Sequence, residues 1–536
     1  MNRLVSALAE APARAECVTH VEVTPARLGV HGDWPGWAPD WVREGYQRLG
    51  VERPWLHQVQ AIEAARRGHC VVATTTGSGK SLALWAPVLA ALDQPYELGR
   101  VAQVRSRPTA IYLAPTKALA ADQLATLNAL LKAADVDGLE VATCDGDTPA
   151  ELRRLWQAKA DVVLTNPDFL HFSLLPGHIR WSGLLRGLRY VIVDELHTYR
   201  GLMGAHVAWV MRRLRRLARH YGADPIFLAA SATVNQPQAT LARLIGEDPA
   251  AVEAVTDDSA ARGEGTFVMW RPAPHDDADH AGGGPAGDPW DPWDPWDAGA
   301  ADLATRPNAG SEAKARVGES AGAGTGGLAP SRRSAPAEAA QLAADLVEIG
   351  ARTLVFVRSR YSAEAVANTV RQILGEPLAS RVATYRGGYL ADERRDLERR
   401  LRDGALLGLV STTALELGID VAGLDAVITA GWPGTLIALK QQAGRAGRAG
   451  SDGLSIWVAG ADPLDSYLVA HPRALVGAPL EATVFDPSNP YVAAPHLAAA
   501  AAELALEAEE LDSLDPTAAD VIEALAATGA VRRRGG

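Results

Sequence analysis

The chain has 536 residues, 48% of them hydrophobic and 22% charged, an ordinary globular makeup and enough for roughly three or four domains at ~150 residues each. Its formal net charge of −12 excludes a protein coated in basic surface, so any polyanion must be held in a local groove. Three well-separated cysteines, Cys17, Cys70 and Cys144, make neither a disulfide framework nor a zinc cluster and suit a reducing compartment.

The opening "MNRLVSALAEAPARAE" is broken early by Glu10 and does not read as a signal peptide. No run of ~18 apolar residues predicts a membrane span. With a composition rich in Ala, Gly and Arg, a bacterial cytoplasmic location is the expectation. Residues 1–50 read as a helical and loop segment. Residues 51–270 alternate β-rich runs with helical patterns: "HCVVAT", "TAIYLAP", "LEVATCDG", "ADVVLTN", "YVIVDE" and "PIFLAAS". Such alternation predicts a parallel sheet covered on both faces.

Residues 271–336 break this pattern. From Pro272 to Thr305 there are eight Asp and no Lys or Arg, and "DPWDPWDPWD" repeats Pro every third residue. This stretch cannot bury enough apolar area to fold alone and is expected to be a disordered linker. Residues 337–460 resume the α/β pattern with "RTLVFVRSR", "RVATYRGG", "GLVSTT", "AVITAG" and "LSIWVAG". Residues 461–536 read as mostly helical. The basic run "MRRLRRLARH" (211–220) is expected to be the solvated face of a helix.

Two motifs carry chemistry. "ATTTGSGKS" (73–81) lies between a predicted strand and a predicted helix, the setting of a phosphate loop. Gly77 and Gly79 let the backbone close around phosphate oxygens, with Thr76 and Ser78 between and beside them. Lys80 can reach the β- and γ-phosphates and Ser81 can ligate Mg²⁺. The strict form of the motif has Gly where this chain has Thr74; the alternative is a glycine turn capped by Ser. The second motif is "VIVDELHTYRG" (191–201). Alone, Asp194, Glu195 and His197 allow a metal site, an acid/base pair or a solvated strand end. Beside a phosphate loop, Asp194 fits a Mg²⁺ ligand and Glu195 a base that orients and deprotonates water. A zinc hydrolase is disfavoured, because no second His lies at helical spacing from His197.

The motifs occur in a telling order: "PWLHQVQAI", the phosphate loop, "APTKALAADQ", "TNPDFLH", "DELH", "SAT" (231–233), "TTALELGID" and "QQAGRAGR". The set resembles the superfamily 2 helicases of the DExH kind. "CDGDTP", "YRGGYLADERR", "GWPGT", "DPLDSYLVAHP" and "DPSNPYVAAPHL" narrow the resemblance to the bacterial mitomycin-repair helicases and their fungal crosslink-repair relatives, over about residues 50–500 apart from the acidic stretch.

That resemblance implies two RecA-like domains in tandem with a mostly helical C-terminal segment. It also implies ATP and Mg²⁺ as ligands, and 3′→5′ translocation on single-stranded or partly duplex DNA in lesion repair. It assigns Gln58 to the adenine edge. Gly418 and Asp420 fall in a block that meets ribose and the DNA backbone, and His197 with Ser231, Ala232 and Thr233 to coupling. Gln441, Arg445 and Arg448 come from the arginine motif, in which a guanidinium reaching the γ-phosphate offsets transition-state charge. Pro115, Thr116, Lys117, Thr165 and Asn166 on the first domain, with Arg386 and Thr412 on the second, are candidate contacts to nucleic-acid phosphates, which position a strand without reading bases. An RNA helicase or a nucleic-acid clamp without unwinding uses the same motifs.

The resembling helicases carry a four-Cys zinc site further on. This chain has no Cys after Cys144, so no zinc and weak or absent unwinding are expected, with the helical end expected to be truncated. Three spaced Trp in the linker also make it a candidate docking motif for repair proteins. Replacing about residues 275–333 by a flexible linker is expected to leave DNA-stimulated ATP hydrolysis largely intact; a steady-state ATPase assay on the deletion variant checks this.

Overall fold

The computed structural model describes residues 4–5, 8, 12–93, 107–274, 332–385, 391–415, 423–447 and 450–533. The acidic stretch 275–331 and four predicted site residues, Arg386, Gly418, Asp420 and Arg448, lie outside the described residues.

Two seven-stranded sheets organise the chain. The first has the spatial order β4 (Val141–Thr143), β5 (Val162–Thr165), β3 (Thr109–Leu113), β6 (Leu188–Val193), β7 (Ile226–Ser231), β2 (His69–Ala73) and β8 (Val252–Val255). All its pairings are parallel. Side chains alternate across a strand, so Ile111, Leu113, Val191 and Val193 enter one core, while Ala110, Tyr112, Tyr190 and Ile192 enter the other. Both faces are buried under helices, which is why these strands read as continuous apolar runs.

The second sheet runs β1 (Val18–Thr24), β9 (Gly265–Trp270), β14 (Gly453–Val458), β13 (Ala426–Ala430), β10 (Thr353–Phe356), β12 (Gly408–Ser411) and β11 (Val382–Tyr385). Only the β1–β9 pairing is antiparallel. Two RecA-like α/β units in tandem, followed by the helices Pro463–Ala470, Pro490–Glu503, Ala508–Leu514 and Ala518–Ala527, give the expected fold class.

The boundaries differ from the sequence reading in two places. Residues 1–50 include a strand, β1, and β9 belongs to the second sheet rather than to a first domain ending at 270. β9 pairs along β14 and sends Val268 and Trp270 into the second core. The indole of Trp270 donates to buried Glu338 at 2.8 Å. Burial therefore holds both strands in the second sheet, although the chain reaches it before the acidic stretch.

The basic run is also corrected. Arg212, Arg213, Arg215 and Arg216, on the helix Gly201–His220, are buried. Charges removed from water need partners: Arg215 finds Asp224 and Glu247 within the first domain, and the C-terminal segment supplies the other three. Arg213 grips Glu503 with two nitrogens, Arg216 holds Glu510 at 2.8 Å, and Arg212 holds Asp515 at 2.8 Å. The helix Pro490–Glu503 thus docks on the first domain. Arg213→Ala leaves Glu503 buried without its partner and is expected to cost about 3–5 kcal/mol. A lower midpoint in urea unfolding checks this, and the paired replacement Arg213→Met/Glu503→Leu is expected to recover most of the loss.

Candidate active site

The phosphate loop leaves β2 at Ala73 and enters the helix Lys80–Leu92. Gly77 (φ 81°) and Gly79 (φ 78°) both take the left-handed region that only glycine adopts without strain. A Cβ on Gly79 would also run into the Gln58 amide. Thr74, where the strict motif has Gly, is buried and its hydroxyl pairs with Ser78 Oγ at 2.7 Å, closing the loop from within. Lys80 Nζ donates to the carbonyls of Thr74 (3.0 Å) and Thr75 (2.9 Å). Ser81 Oγ lies 3.5 Å from Gln123 Nε2.

Gln58 is buried and faces the loop. Its Oε1 accepts from Trp55 N–H at 2.8 Å, and its Nε2 donates to Gly79 O at 2.8 Å. Both ends of the amide are engaged by the chain, so Gln58 braces the loop in this state.

β6 delivers the acidic pair. Asp194 accepts from the Tyr112 hydroxyl and, at 2.8 Å, from Glu195 N–H. Burial and then the neighbouring Glu195 charge push its carboxyl up to about 6, the direction that a bound cation would reverse. Glu195 itself sits in the left-handed region (φ 49°). For a non-glycine residue that conformation costs on the order of 1 kcal/mol and is a mark of functional sites. The hydroxyl of Ser81 and the carboxylate of Asp194 are hard oxygen donors of the kind Mg²⁺ takes together with substrate phosphates. Among the described residues, no group of three or more His, Cys, Asp or Glu could hold a metal ion by itself.

His197 joins the two domains. It is buried, and burial followed by the Lys80 charge lowers its pKa to about 4, so the ring is neutral. Ala232 N–H donates to Nδ1 at 3.3 Å, and Ser231 Oγ lies 3.5 Å from the same atom. Nε2 meets the end of the Gln441 side-chain amide, in the second domain, at 2.9 Å. The amide atom nearest the ring is Gln441 Nε2, so the tautomer of the ring and the orientation of that amide are set together. Gln441 and Arg445 are buried, and a Cβ on Gly444 would lie 2.5 Å from Thr76 Oγ1. The arginine motif therefore closes directly over the phosphate loop. Between them is a cavity of about 490 Å³, lined by Thr75–Ser78, Ala232, Thr233, Gln441 and Gly444 among others.

The predicted nucleic-acid residues are less uniform. Thr116 and Asn166 cap helices through Leu119 N (3.2 Å) and Phe169 N (2.9 Å). Lys117 is exposed and pairs with Asp147, while Pro115 is partly exposed. Thr412 is partly buried, its carbonyl accepting from Ser411 at 2.9 Å. Thr165 departs from expectation: its hydroxyl is buried and donates to Cys144 O at 2.6 Å, so its side chain serves the fold. Sequence reasoning missed His57, Asp258 and Ser259, which contact the phosphate loop or each other, Asp258 also lining the cavity. His57 stood next to Gln58 in a quoted motif; the other two lie in a stretch without any pattern.

Two RecA-like domains, a phosphate loop, an Asp-Glu pair and a second-domain Gln reaching a first-domain His define the ATPase core of a helicase. The DEAD/DEAH box helicase model matches residues 55–241, and the helicase conserved C-terminal domain model matches residues 338–450. The chain belongs to the DEAD/DEAH box helicases.

Within the family, the chain is 34% identical over 497 residues to the uncharacterized ATP-dependent helicase YprA of Bacillus subtilis, across 92% of this chain and 58% of that protein. It is 33% identical to the ATP-dependent helicase hrq1 of Schizosaccharomyces pombe, across 86% of this chain and 38% of the relative. A crystal structure of the DUF1998 helicase MrfA bound to DNA superposes with a TM-score of 0.82 at 32% identity, covering 100% of this chain and 63% of the other. The chain thus spans less than two thirds of the length of each of these relatives. Gln441→Ala removes the bond across the cleft, and a buried hydrogen bond of about 1 kcal/mol predicts a loss of about 3–10-fold in the stimulation of ATP hydrolysis by single-stranded DNA. The ratio of stimulated to basal rates checks it.

Proposed function

We propose that the chain is an ATP-driven translocase that moves 3′→5′ along single-stranded DNA and acts in DNA repair in the bacterial cytoplasm. The observation that carries this reading is the His197–Gln441 bond, which joins the two domains next to Glu195 and the 231–233 turn. Its neighbours in the comparison support the choice of DNA: the solved MrfA helicase is bound to DNA and, in a second structure of TM-score 0.81, to DNA and AMPPNP. No helix among the described residues is long and apolar enough to cross a membrane.

In this reading ATP is the substrate. The backbone N–H groups of Gly77 and Gly79 and the ammonium of Lys80 hold its phosphates, and the Gln58 amide turns to the adenine edge. Ser81 and Asp194 would hold Mg²⁺, which neutralises charge on the β- and γ-phosphate oxygens when bound. Glu195 orients the attacking water and takes its proton as the bond from the γ-phosphorus to the bridging oxygen breaks. The arginine motif that contains Arg445 and Arg448 would supply a guanidinium charge to the γ-phosphoryl group, an effect of roughly a thousandfold in rate. His197 and the 231–233 turn pass the state of the site to the strand-binding faces around Thr116, Lys117, Asn166 and Thr412. Each ATP then closes the cleft and each hydrolysis releases it, a shift that requires different contacts in the two states.

Lys80→Ala is expected to abolish ATP hydrolysis. Glu195→Gln is expected to abolish turnover while retaining ATP binding, because only the base is lost. Single-turnover hydrolysis and nucleotide binding on both variants, with strand-displacement assays on DNA and RNA duplexes, test the reading. Normal turnover by Glu195→Gln, or unwinding confined to RNA, overturns it.

A further inference from the structure

β8 ends at Val255 and β9 begins at Gly265, so residues 256–264 cross from the first sheet to the second. The first half of this crossing grips the phosphate loop at two points. Thr75, at the start of the loop, donates its hydroxyl to Asp258. Ser259 donates its N–H (3.3 Å) to His57 Nδ1 and holds the same nitrogen with its hydroxyl at 2.8 Å. With Nδ1 accepting, the neutral ring carries its proton on Nε2, which donates to Ser78 O at 3.2 Å. One tautomer satisfies every contact. His57 is fully buried and the Asp258 side chain is 8% exposed. Asp258 also accepts from Ala260 N–H (2.9 Å) and pairs with Arg27 (3.2 Å), so its carboxylate cannot turn without breaking the crossing.

The second half is fastened to the loop that follows the arginine motif. Glu264 N–H donates to Asp452 Oδ1 at 2.9 Å, and Glu264 O accepts from Gly453 N–H at 2.9 Å. Gly263 lies so close to the Ser451 carbonyl that a Cβ would overlap it. The six residue steps from Asp258 to Glu264 span at most about 20 Å when extended, and with both ends bonded this length limits how far the two loops can part.

We propose that residues 258–264 are a strap that sets the phosphate loop against the arginine loop across the cleft, with Asp258 and His57 as positioning residues for ATP hydrolysis. The proposal rests on the ATPase reading above. His57 is buried under the loop, and Asp258 stands at the wall of the cavity beside Thr75. Asp258 acts through Thr75 and His57 through Ser78, so strain imposed on the phosphate loop is transmitted to the loop carrying Arg445.

The test is DNA-stimulated ATP hydrolysis by the full chain, with affinity for a fluorescent ATP analogue and thermal melting measured in parallel. Asp258→Ala and Thr75→Val are each expected to lower kcat about tenfold, the loss of a hydrogen bond to a charged group, and Thr75→Ser to stay within about twofold of the parent. If they act through each other, the double variant is no slower than the worse single one. Gly263→Ala, which touches only the second-domain side, is expected to lower kcat about tenfold with nucleotide affinity within about threefold. A parental kcat in Asp258→Ala, an approximately hundredfold loss in the double variant, or a parental kcat in Gly263→Ala overturns the strap. Should Asp258→Ala fail to fold, the Thr75→Val and Thr75→Ser pair and Gly263→Ala decide. Normal hydrolysis by Lys80→Ala would instead remove the ATPase reading itself; an inactive Lys80→Ala beside unimpaired strap variants removes the strap alone.

Discussion

The neutrality of His197 is the condition on which the cleft depends. Burial and the nearby Lys80 charge hold its pKa at about 4, so one nitrogen can accept from the Ala232 backbone while the other reaches Gln441. A protonated ring has no acceptor and would lose the first of these contacts. A net value of about 1 kcal/mol for such a bond is small against the apolar burial inside each domain. The junction is therefore the soft element of the structure, and the two cores are the stiff ones. An ATPase that opens and closes needs that order of strengths.

The cores owe their stiffness to strands buried on both faces. Both sheets use consecutive side chains of one strand for two different cores: Val355 faces one while Leu354 and Phe356 face the other. Slipping such a strand by one residue would exchange the two sets, so register is fixed on both sides. The site inherits this rigidity, because Asp194 follows directly from β6 and the phosphate loop from β2. Where these elements end, the backbone turns through the left-handed region at Gly77, Gly79 and Glu195.

Much of this was legible in the sequence because it is local. The interior strands of both sheets read as apolar runs, and the phosphate loop and the acidic pair are defined by residues within a few positions of one another. What was not legible is long-range. β1, "VTHVEVT", carries polar residues between its valines and is held by β9, about 250 positions away. Arg212, Arg213 and Arg216 read as a solvated face, because Asp515, Glu503 and Glu510 lie some 290–300 residues downstream and no spacing announces them. The same holds for Asp258: nothing in "DDSAARGE" marks an acid that will meet Thr75. Thr165 is a local case: the hydroxyl expected to face nucleic acid is engaged by Cys144 O inside the sheet.

These long-range contacts determine how the domains can move. The chain crosses between the two units near residues 25–32, again at 256–264, and a third time after the helix Pro463–Ala470. On that last crossing Leu480 joins Ala232, Val234 and Ile437 in a small apolar contact between the domains, and the Glu481 carboxylate caps the helix that carries Gln441. Beyond it, Phe485 enters the first core, and the ion pairs of Arg212, Arg213 and Arg216 bind the helices of residues 490–527 to the first domain. The first two crossings run side by side, Arg27 bonded to the backbone and side chain of the 258–262 segment, so they act as one ribbon rather than two tethers. A second domain held by this ribbon and by the 476–484 crossing is restrained at both attachments. Rotation about the line joining them leaves both attachments in place, whereas translation strains both at once. In the opening and closing proposed above, the buried arginines would keep the C-terminal helices with the first domain, and the arginine motif would move relative to a body made of the phosphate loop, the acidic pair and those helices.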